Sequence, residues 1–269
     1  MVTDIIEAVK DLHVIHHISI YSSVKDKRII LKPVSIPGNL TIVTISDKTN
    51  YDRYNILHKN IPQDSIKHLV VDTYIPWITK VIELKNFIKL NYNNLPDYIM
   101  YLDKFDTMIV NHIPDPQESL DFYNCKLLFN KEGIYGHDGC DNPSEEYYQE
   151  FLDNSYDKNQ ALIKKIYGIK TEVGLNAGAF LGEKKALLEI LEEMLDYHYS
   201  KPYTEGFPYG WIDDQSVFRY MFLKYPNIIR LDLFNKIFTQ AHNEEFDPNE
   251  CNYFNYHKRF ESIFNNKKI

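Results

Sequence analysis

The chain has 269 residues, of which 44% are hydrophobic and 25% charged, values that suit an ordinary globular domain with a sizeable core. Its net charge of −8 argues against a protein that grips nucleic acid by the phosphates, which needs a basic face. Cys125, Cys140 and Cys251 lie far apart with no Cys-x-x-Cys pair, which argues against a disulfide scaffold and a structural zinc site.

The opening residues Met1-Val2-Thr3-Asp4, with Glu7, Lys10 and Asp11 close behind, lack the basic-then-apolar pattern of a signal peptide. No apolar run approaches the roughly 18 residues of a membrane span, so the expected location is the cytoplasm and no membrane partner is expected. Asn, Lys, Ile, Phe and Tyr are abundant. Their codons are AT-rich, which suggests a low-GC microbe or a virus as the source.

Residues 1–38 read as an N-terminal extension of two short strands, His13–Tyr21 and Arg28–Ile36, with a turn at Ser22–Asp26. The main domain, 39–269, opens on Leu40–Ile45, whose continuous β-branched run is that of a parallel strand covered on both faces. Ile66–Val71 is a second strand. Trp77–Leu90 places Ile78, Val81, Ile82, Leu84, Phe87 and Ile88 near helical spacing. Tyr98–Leu102 is a third strand, and Met108–Val110 and Lys126–Phe129 are shorter ones. Ser144–Leu152 and Asn159–Ile166 read as helices, the first with a serine cap. Lys184–Tyr199 is the clearest helix, Asp214–Leu223 another, and Ile228–Asp232 and Lys236–Thr239 are late strands. Strands alternating with helices predict an α/β sheet, and no Pro/Gly/Ser linker divides it.

Four segments carry residues suited to chemistry. The third strand leaves as Asp103-Lys104-Phe105-Asp106. Ligands of open α/β sheets bind beyond the carboxyl ends of the strands, and two carboxylates there can share a hard cation that in turn holds phosphate oxygens; the plain alternative is a solvated acidic turn. Gly174-Leu175-Asn176-Ala177-Gly178-Ala179-Phe180-Leu181-Gly182 lets backbone approach a ligand, with Asn176 as donor and acceptor; the plain alternative is a tight turn feeding a strand. Trp211-Ile212-Asp213-Asp214-Gln215 opens a helix, where acids are ordinary, but it follows Gly206, Pro208 and Gly210 interleaved with Phe207 and Tyr209, aromatic rings able to stack on sugars. His257 is a lone imidazole that can supply a third metal ligand.

In this order the segments resemble the glycosyltransferase domain of the procollagen lysyl hydroxylases and related GT-A enzymes, procollagen galactosyltransferases among them. The resemblance rests on Tyr101-Leu102-Asp103-Lys104-Phe105-Asp106, on Phe129-Asn130-Lys131-Glu132, and on Leu175-Asn176-Ala177-Gly178 running into Phe180-Leu181-Gly182. It continues through Asp213-Asp214-Gln215 and Leu231-Asp232 before Ile237-Phe238-Thr239-Gln240, and ends at His257, spanning roughly Leu40 to Phe260. Two departures stand out. Gly133-Ile134-Tyr135-Gly136-His137 replaces the family's aromatic-proline pair, and His257-Lys258-Arg259 replaces its His-Asn-Gly ending, which leaves His242 a rival to His257.

The resemblance implies a GT-A, Rossmann-like fold with a mostly parallel or mixed central sheet flanked by helices. It implies a UDP-sugar donor, with glucose or galactose transferred to a protein or glycan hydroxyl. Hydroxylysine or galactosyl-hydroxylysine of a collagen-like protein is the acceptor it points to. It implies manganese or magnesium held by Asp103, Asp106 and His257, with Asp213 and Asp214 near the anomeric carbon. Asn176, Gly178 and Gln215 are expected at the nucleotide sugar. Thr44 and Asp47, after the first strand, are nucleotide candidates, and so is Lys80, for which a solvated helix lysine is the plain alternative. The rival functions are a nucleotidyltransferase using the same acidic strand end and a non-catalytic relative binding glycan or protein.

Overall fold

The β-branched run at the head of the main domain forms β1 (Leu40–Asp47), buried along almost its whole length, as a strand covered on both faces must be. A computed structural model describes residues 34–48, 65–74, 78–104, 107–109, 112–133, 158–168, 173–199, 214–240 and 253–255. β1 lies between β2 (Ile66–Val71) and β3 (Tyr98–Leu102), parallel to both. The chain crosses from β2 to β3 through α1 (Ile78–Asn91). Beyond β3 come β4 (Thr107–Ile109), α2 (Pro116–Tyr123) and β5 (Leu127–Gly133). A helix over residues 158–167, α3, precedes β6 (Val173–Glu183), α4 (Lys184–Tyr199), α5 (Asp214–Lys224) and β7 (Ile229–Leu231).

Six strands form one sheet in the order β2-β1-β3-β6-β5-β7. β6 runs antiparallel to β3 and β5, whereas β5 and β7 are parallel. The expected α/β class, with a mixed central sheet flanked by helices, is what the chain adopts. β8 (Thr239–Gln240) and β9 (Tyr253–Asn255) join β4 in a small second sheet, ordered β4-β9-β8.

Strand alternation divides the interior into two cores. On one face Val43, Ile45, Ile99, Tyr101, Phe129 and Phe180 pack with buried residues of α1, α4 and α5. Tyr101 stacks on Phe180 at 5.1 Å between ring centroids, and Phe129 meets Phe180 and Phe218 at 4.9 Å each. On the other face Ile42, Met100, Leu102, Leu128, Ala179 and Leu181 pack with Ile109, Leu120 and Phe238. Val34 joins this second core, although residues 34–37 are not in a strand, contrary to the strand expected to end at Ile36. The rest of the N-terminal extension lies outside the described residues, as does the helix expected at Ser144–Leu152.

Three local features differ from the sequence expectation, each for a visible reason. α2 was not foreseen, although Asp115 caps it, its carboxylate accepting the Glu118 N–H at 3.1 Å, and Pro116 supplies a first-turn residue that needs no donor. The strand expected over Lys236–Thr239 is a loop through Phe238, because the amides of 236–238 bond the Asp232 carboxylate and make no ladder there. The glycine-rich segment is no turn. It is the long, buried strand β6, and small residues are what its place requires: a Cβ at Gly182 would lie 2.1 Å from Leu127.

Edge strand β7 is closed by Tyr167, whose hydroxyl accepts from the Leu231 amide at 2.8 Å and donates to its carbonyl at 3.0 Å. Among the described residues, no helix is long and apolar enough to cross a membrane.

Candidate active site

β1, β3 and β5 point the same way, so their carboxyl ends meet on one side of the sheet. The register defines a cross-strand row of Val43, Tyr101, Phe180, Phe129 and Leu231. Beyond it the sheet turns polar. β6 also bulges there: Phe129 pairs with Phe180, but Asn130 pairs with Asn176, leaving Ala177, Gly178 and Ala179 without partners on β5. The bulge is tied to neighbouring elements. The Asp103 amide donates to Gly178 O at 2.8 Å, Asn176 Oδ1 accepts the Gly178 amide at 2.9 Å, and Gln215 Oε1 accepts the Ala177 amide at 3.1 Å.

Lys80, in the first turn of α1, runs into this bulge. Its side chain is 7% exposed, with Nζ 2.6 Å from Asp214 Oδ2 and 3.3 Å from Asp103 Oδ1. It also donates to Ala177 O at 3.2 Å and stands 5.0 Å over the Tyr101 ring. The solvated-lysine reading is therefore wrong. The ammonium has left water because two carboxylates and a carbonyl replace its hydration.

Electrostatics follow from that burial. Desolvation works against the charged Lys80, but Asp103, Asp214 and Tyr74 outweigh it and hold its pKa above the ordinary lysine value. Burial pushes the Asp214 carboxyl above its ordinary range; Lys80 opposes the rise and the charge on Asp103 adds to it. Burial, then the charge on Asp103, holds the Tyr101 hydroxyl well above its usual value. It stays a neutral donor, bonding Asp103 Oδ1 at 2.7 Å. Lys80 and Tyr101 both engage Oδ1 of Asp103, whose side chain is 27% exposed.

The structure thus gathers Asp103, Lys80, Asp214, Gln215, Asn176 and Gly178 at one place. Thr44 and Asp47 sit late on β1. Thr44 follows Val43, so its side chain faces the other core; it is fully buried, and its hydroxyl has no hydrogen-bond partner among the described residues. Asp106, Asp213 and His257, together with the rival His242, lie outside the described residues. Among the described residues no group of three or more His, Cys, Asp or Glu side chains could hold a metal.

Two polar side chains quoted within these motifs had no task assigned from the sequence. Lys104, inside the acidic strand-end motif, is 1% exposed, with Nζ 3.5 Å from Ser46 Oγ, which is 2.7 Å from His68 Nε2. Asp232 is buried completely. Its carboxylate accepts the amides of Lys236, Ile237 and Phe238 at 2.6–2.8 Å, and the Tyr123 hydroxyl as well. The Leu231-Asp232 motif that supported the family resemblance is therefore a loop anchor.

No family model matches the chain and no curated protein does. Among solved structures it is similar to a glycosyltransferase involved in the glycosylation of the major capsid of PBCV-1, at 10% identity over 85% of this chain and 100% of that one, with a TM-score of 0.44. It is also similar to the bifunctional glycosyltransferase WbbM in its apo form, at 14% identity over 77% of this chain and 48% of that one, with a TM-score of 0.38.

Proposed function

We propose that the chain is a GT-A glycosyltransferase that moves a hexose, glucose or galactose, from a UDP-sugar to a hydroxyl of a protein or glycan. Hydroxylysine or galactosyl-hydroxylysine of a collagen-like protein is the acceptor that the sequence resemblance supports. The observation that carries the reading is the buried Lys80, which joins Asp103 at the end of β3 to Asp214 at the start of α5. Two acidic motifs far apart in sequence thereby meet where an open α/β sheet binds its ligand.

Within this reading each residue has a task. Asp103 turns a partly exposed carboxylate toward the strand ends while Lys80 and Tyr101 fix its Oδ1. Asp214 is sealed and ion-paired, so it acts as a fixed negative charge near the reacting carbon and not as a solvent-facing base. Asp213, next to it, is the acid proposed to reach the sugar. Gln215 holds the bulge through the Ala177 amide, which keeps Asn176 and Gly178 beside the donor.

A divalent metal fits this scheme in part. Asp103 has its Oδ2 clear of the contacts that Lys80 and Tyr101 make, which suits a hard cation, and Asp106 and His257 are proposed to complete the set. Manganese or magnesium would supply charge against the departing diphosphate.

The test is UDP release from UDP-glucose and UDP-galactose with manganese present. Asp103→Ala is expected to lose at least a hundredfold in turnover while remaining folded. Asp214→Asn is expected to lose more than tenfold in kcat, about 1.4 kcal/mol, with UDP affinity little changed. Full turnover in both variants overturns the assignment. Pyrophosphate release from a nucleoside triphosphate, with no UDP from either donor, identifies a nucleotidyltransferase instead.

A further inference from the structure

Asn130 lies on β5 opposite the β6 bulge, and no described residue bonds its side chain. It is fully buried, and among the described residues neither Oδ1 nor Nδ2 has a hydrogen-bond partner. Buried amides are almost always paired, because leaving both ends unmet forfeits the hydration they had in water. Local turn chemistry does not account for it, since Asn130 lies inside a strand. Core packing would be served better by an apolar residue of the same size.

Its position is informative. Phe129 faces the core beneath α1, α4 and α5, so Asn130, one residue on, faces the opposite side of the sheet. It stands directly across from Asn176. Directly opposed residues on antiparallel strands share a face, so two fully buried amides sit side by side beyond the aromatic row. The Asn176 Oδ1 is taken by the Gly178 amide; the Asn130 amide is not. On the same face, one residue past the same row, β1 carries Thr44, whose buried hydroxyl is also unpaired. β1 and β5 are separated by β3 and β6, a span of roughly 14 Å at the usual strand spacing. Two unmet polar side chains that far apart, each one residue past the same cross-strand row, suit an extended ligand with a polar group at each end.

We infer that Asn130 is a sugar-specificity residue: its amide hydrogen-bonds hydroxyls of the donor hexose, while the nucleotide lies toward β1. The assignment rests on the glycosyltransferase reading above and assigns the sugar end of that site to β5. An amide offers both a donor and an acceptor, which matches a hydroxyl better than a phosphate. A site that leaves an amide unpaired when the hydroxyl is missing discriminates strongly between ligands.

The experiment compares UDP with UDP-glucose and UDP-galactose on the full chain, by calorimetric titration with manganese present. Wild type is expected to hold at least one UDP-sugar about tenfold or more tighter than UDP. Asn130→Leu is expected to lose that margin while keeping UDP affinity within twofold, and to melt no lower than wild type because no partner is abandoned. If the leucine variant does not fold, Asn130→Ala, which adds no volume, carries the same comparison.

If wild type binds neither UDP nor a UDP-sugar, the glycosyltransferase reading fails and this inference with it. If wild type prefers a UDP-sugar and the variant keeps that preference, the inference alone fails and an internal water is what Asn130 holds. It fails equally if wild type binds UDP-sugars no better than UDP, if UDP affinity falls in step with sugar affinity, or if both variants are strongly destabilised.

Discussion

Two carboxylates lie buried near the carboxyl ends of this sheet, and they are held in opposite ways. Asp232 is saturated from its own neighbourhood: three backbone amides within six residues and the Tyr123 hydroxyl surround it. Asp214 instead leans on the ammonium of Lys80, which it shares with Asp103. A carboxylate ringed by local amides fixes a loop and has nothing left to offer a ligand. One that shares a single cation with a second, partly exposed carboxylate keeps its charge within reach of bound substrate. Buried acids alone therefore do not mark an active site; how completely each is satisfied separates anchor from chemistry.

The sharpest way to break the comparison is to remove the anchor. Asp232→Ala strands three amides, two of them buried, that now make charge-assisted bonds, each worth about 1.5–3 kcal/mol. The loss in unfolding free energy is expected to be about 5 kcal/mol or more, read from the denaturant midpoint at unchanged slope. A loss below about 1 kcal/mol would show that the loop repacks without its anchor.

Removing the shared cation comes next. Lys80→Met leaves Asp214 sealed without its counter-ion, at an expected cost of about 3–5 kcal/mol near neutral pH. This deficit depends on pH, and its sign follows from the shifts. Burial already raises the Asp214 pKa and Lys80 opposes that rise, so without Lys80 the folded-state pKa climbs further above the unfolded value. A group raised in this way stabilises below its unfolded pKa and loses that contribution as pH rises through the folded one. The wild-type ammonium adds no slope there, because its own raised pKa leaves it charged throughout. The variant should thus fall short of wild type by far less near pH 4 than near pH 8. A deficit independent of pH would mean that Lys80 contributes packing alone.

Much of this arrangement was legible in the chain, and the parts that were not share a cause. β1 and β3 were readable because continuous β-branched and aromatic runs occur where a strand is covered on both faces, and Asp103 was readable because it ends such a run. β6 was not, since Gly-Leu-Asn-Ala-Gly-Ala has the composition of a turn. Its place in the sheet comes from pairing with β3 and β5, and at Gly182 Leu127 fills the space a side chain would need. Ile237-Phe238 looked like strand and is loop, because the competing acceptor for its amides is a side chain. Lys80 looked solvated because its partners, Asp103 and Asp214, are distant in sequence and arrive only on folding. Local pattern reveals what local physics decides; the ion pair, the bulge and the anchor are decided by residues that meet in three dimensions.

The smallest expected effect concerns Thr44, which sharpens the contrast between a satisfied and an unsatisfied buried group. Asp232 shows what a fully met polar side chain looks like in this fold, whereas the Thr44 hydroxyl is buried with no hydrogen-bond partner among the described residues. Thr44→Val keeps the β-branched shape that β1 needs and replaces the hydroxyl with a methyl. Removing an unpaired buried polar group in favour of an apolar one should stabilise the ligand-free chain by about 1 kcal/mol. If Thr44 contacts the nucleotide, that gain comes with weaker binding: UDP affinity should fall several-fold while the preference for UDP-sugar over UDP, assigned to Asn130, stays as it was. Melting temperature and UDP titration of the one variant give both numbers. A stabilised chain with unchanged UDP affinity removes Thr44 from the nucleotide site. A destabilised one shows that the hydroxyl has a structural partner and that β1, like the Asp232 loop, is closed to ligand at that point.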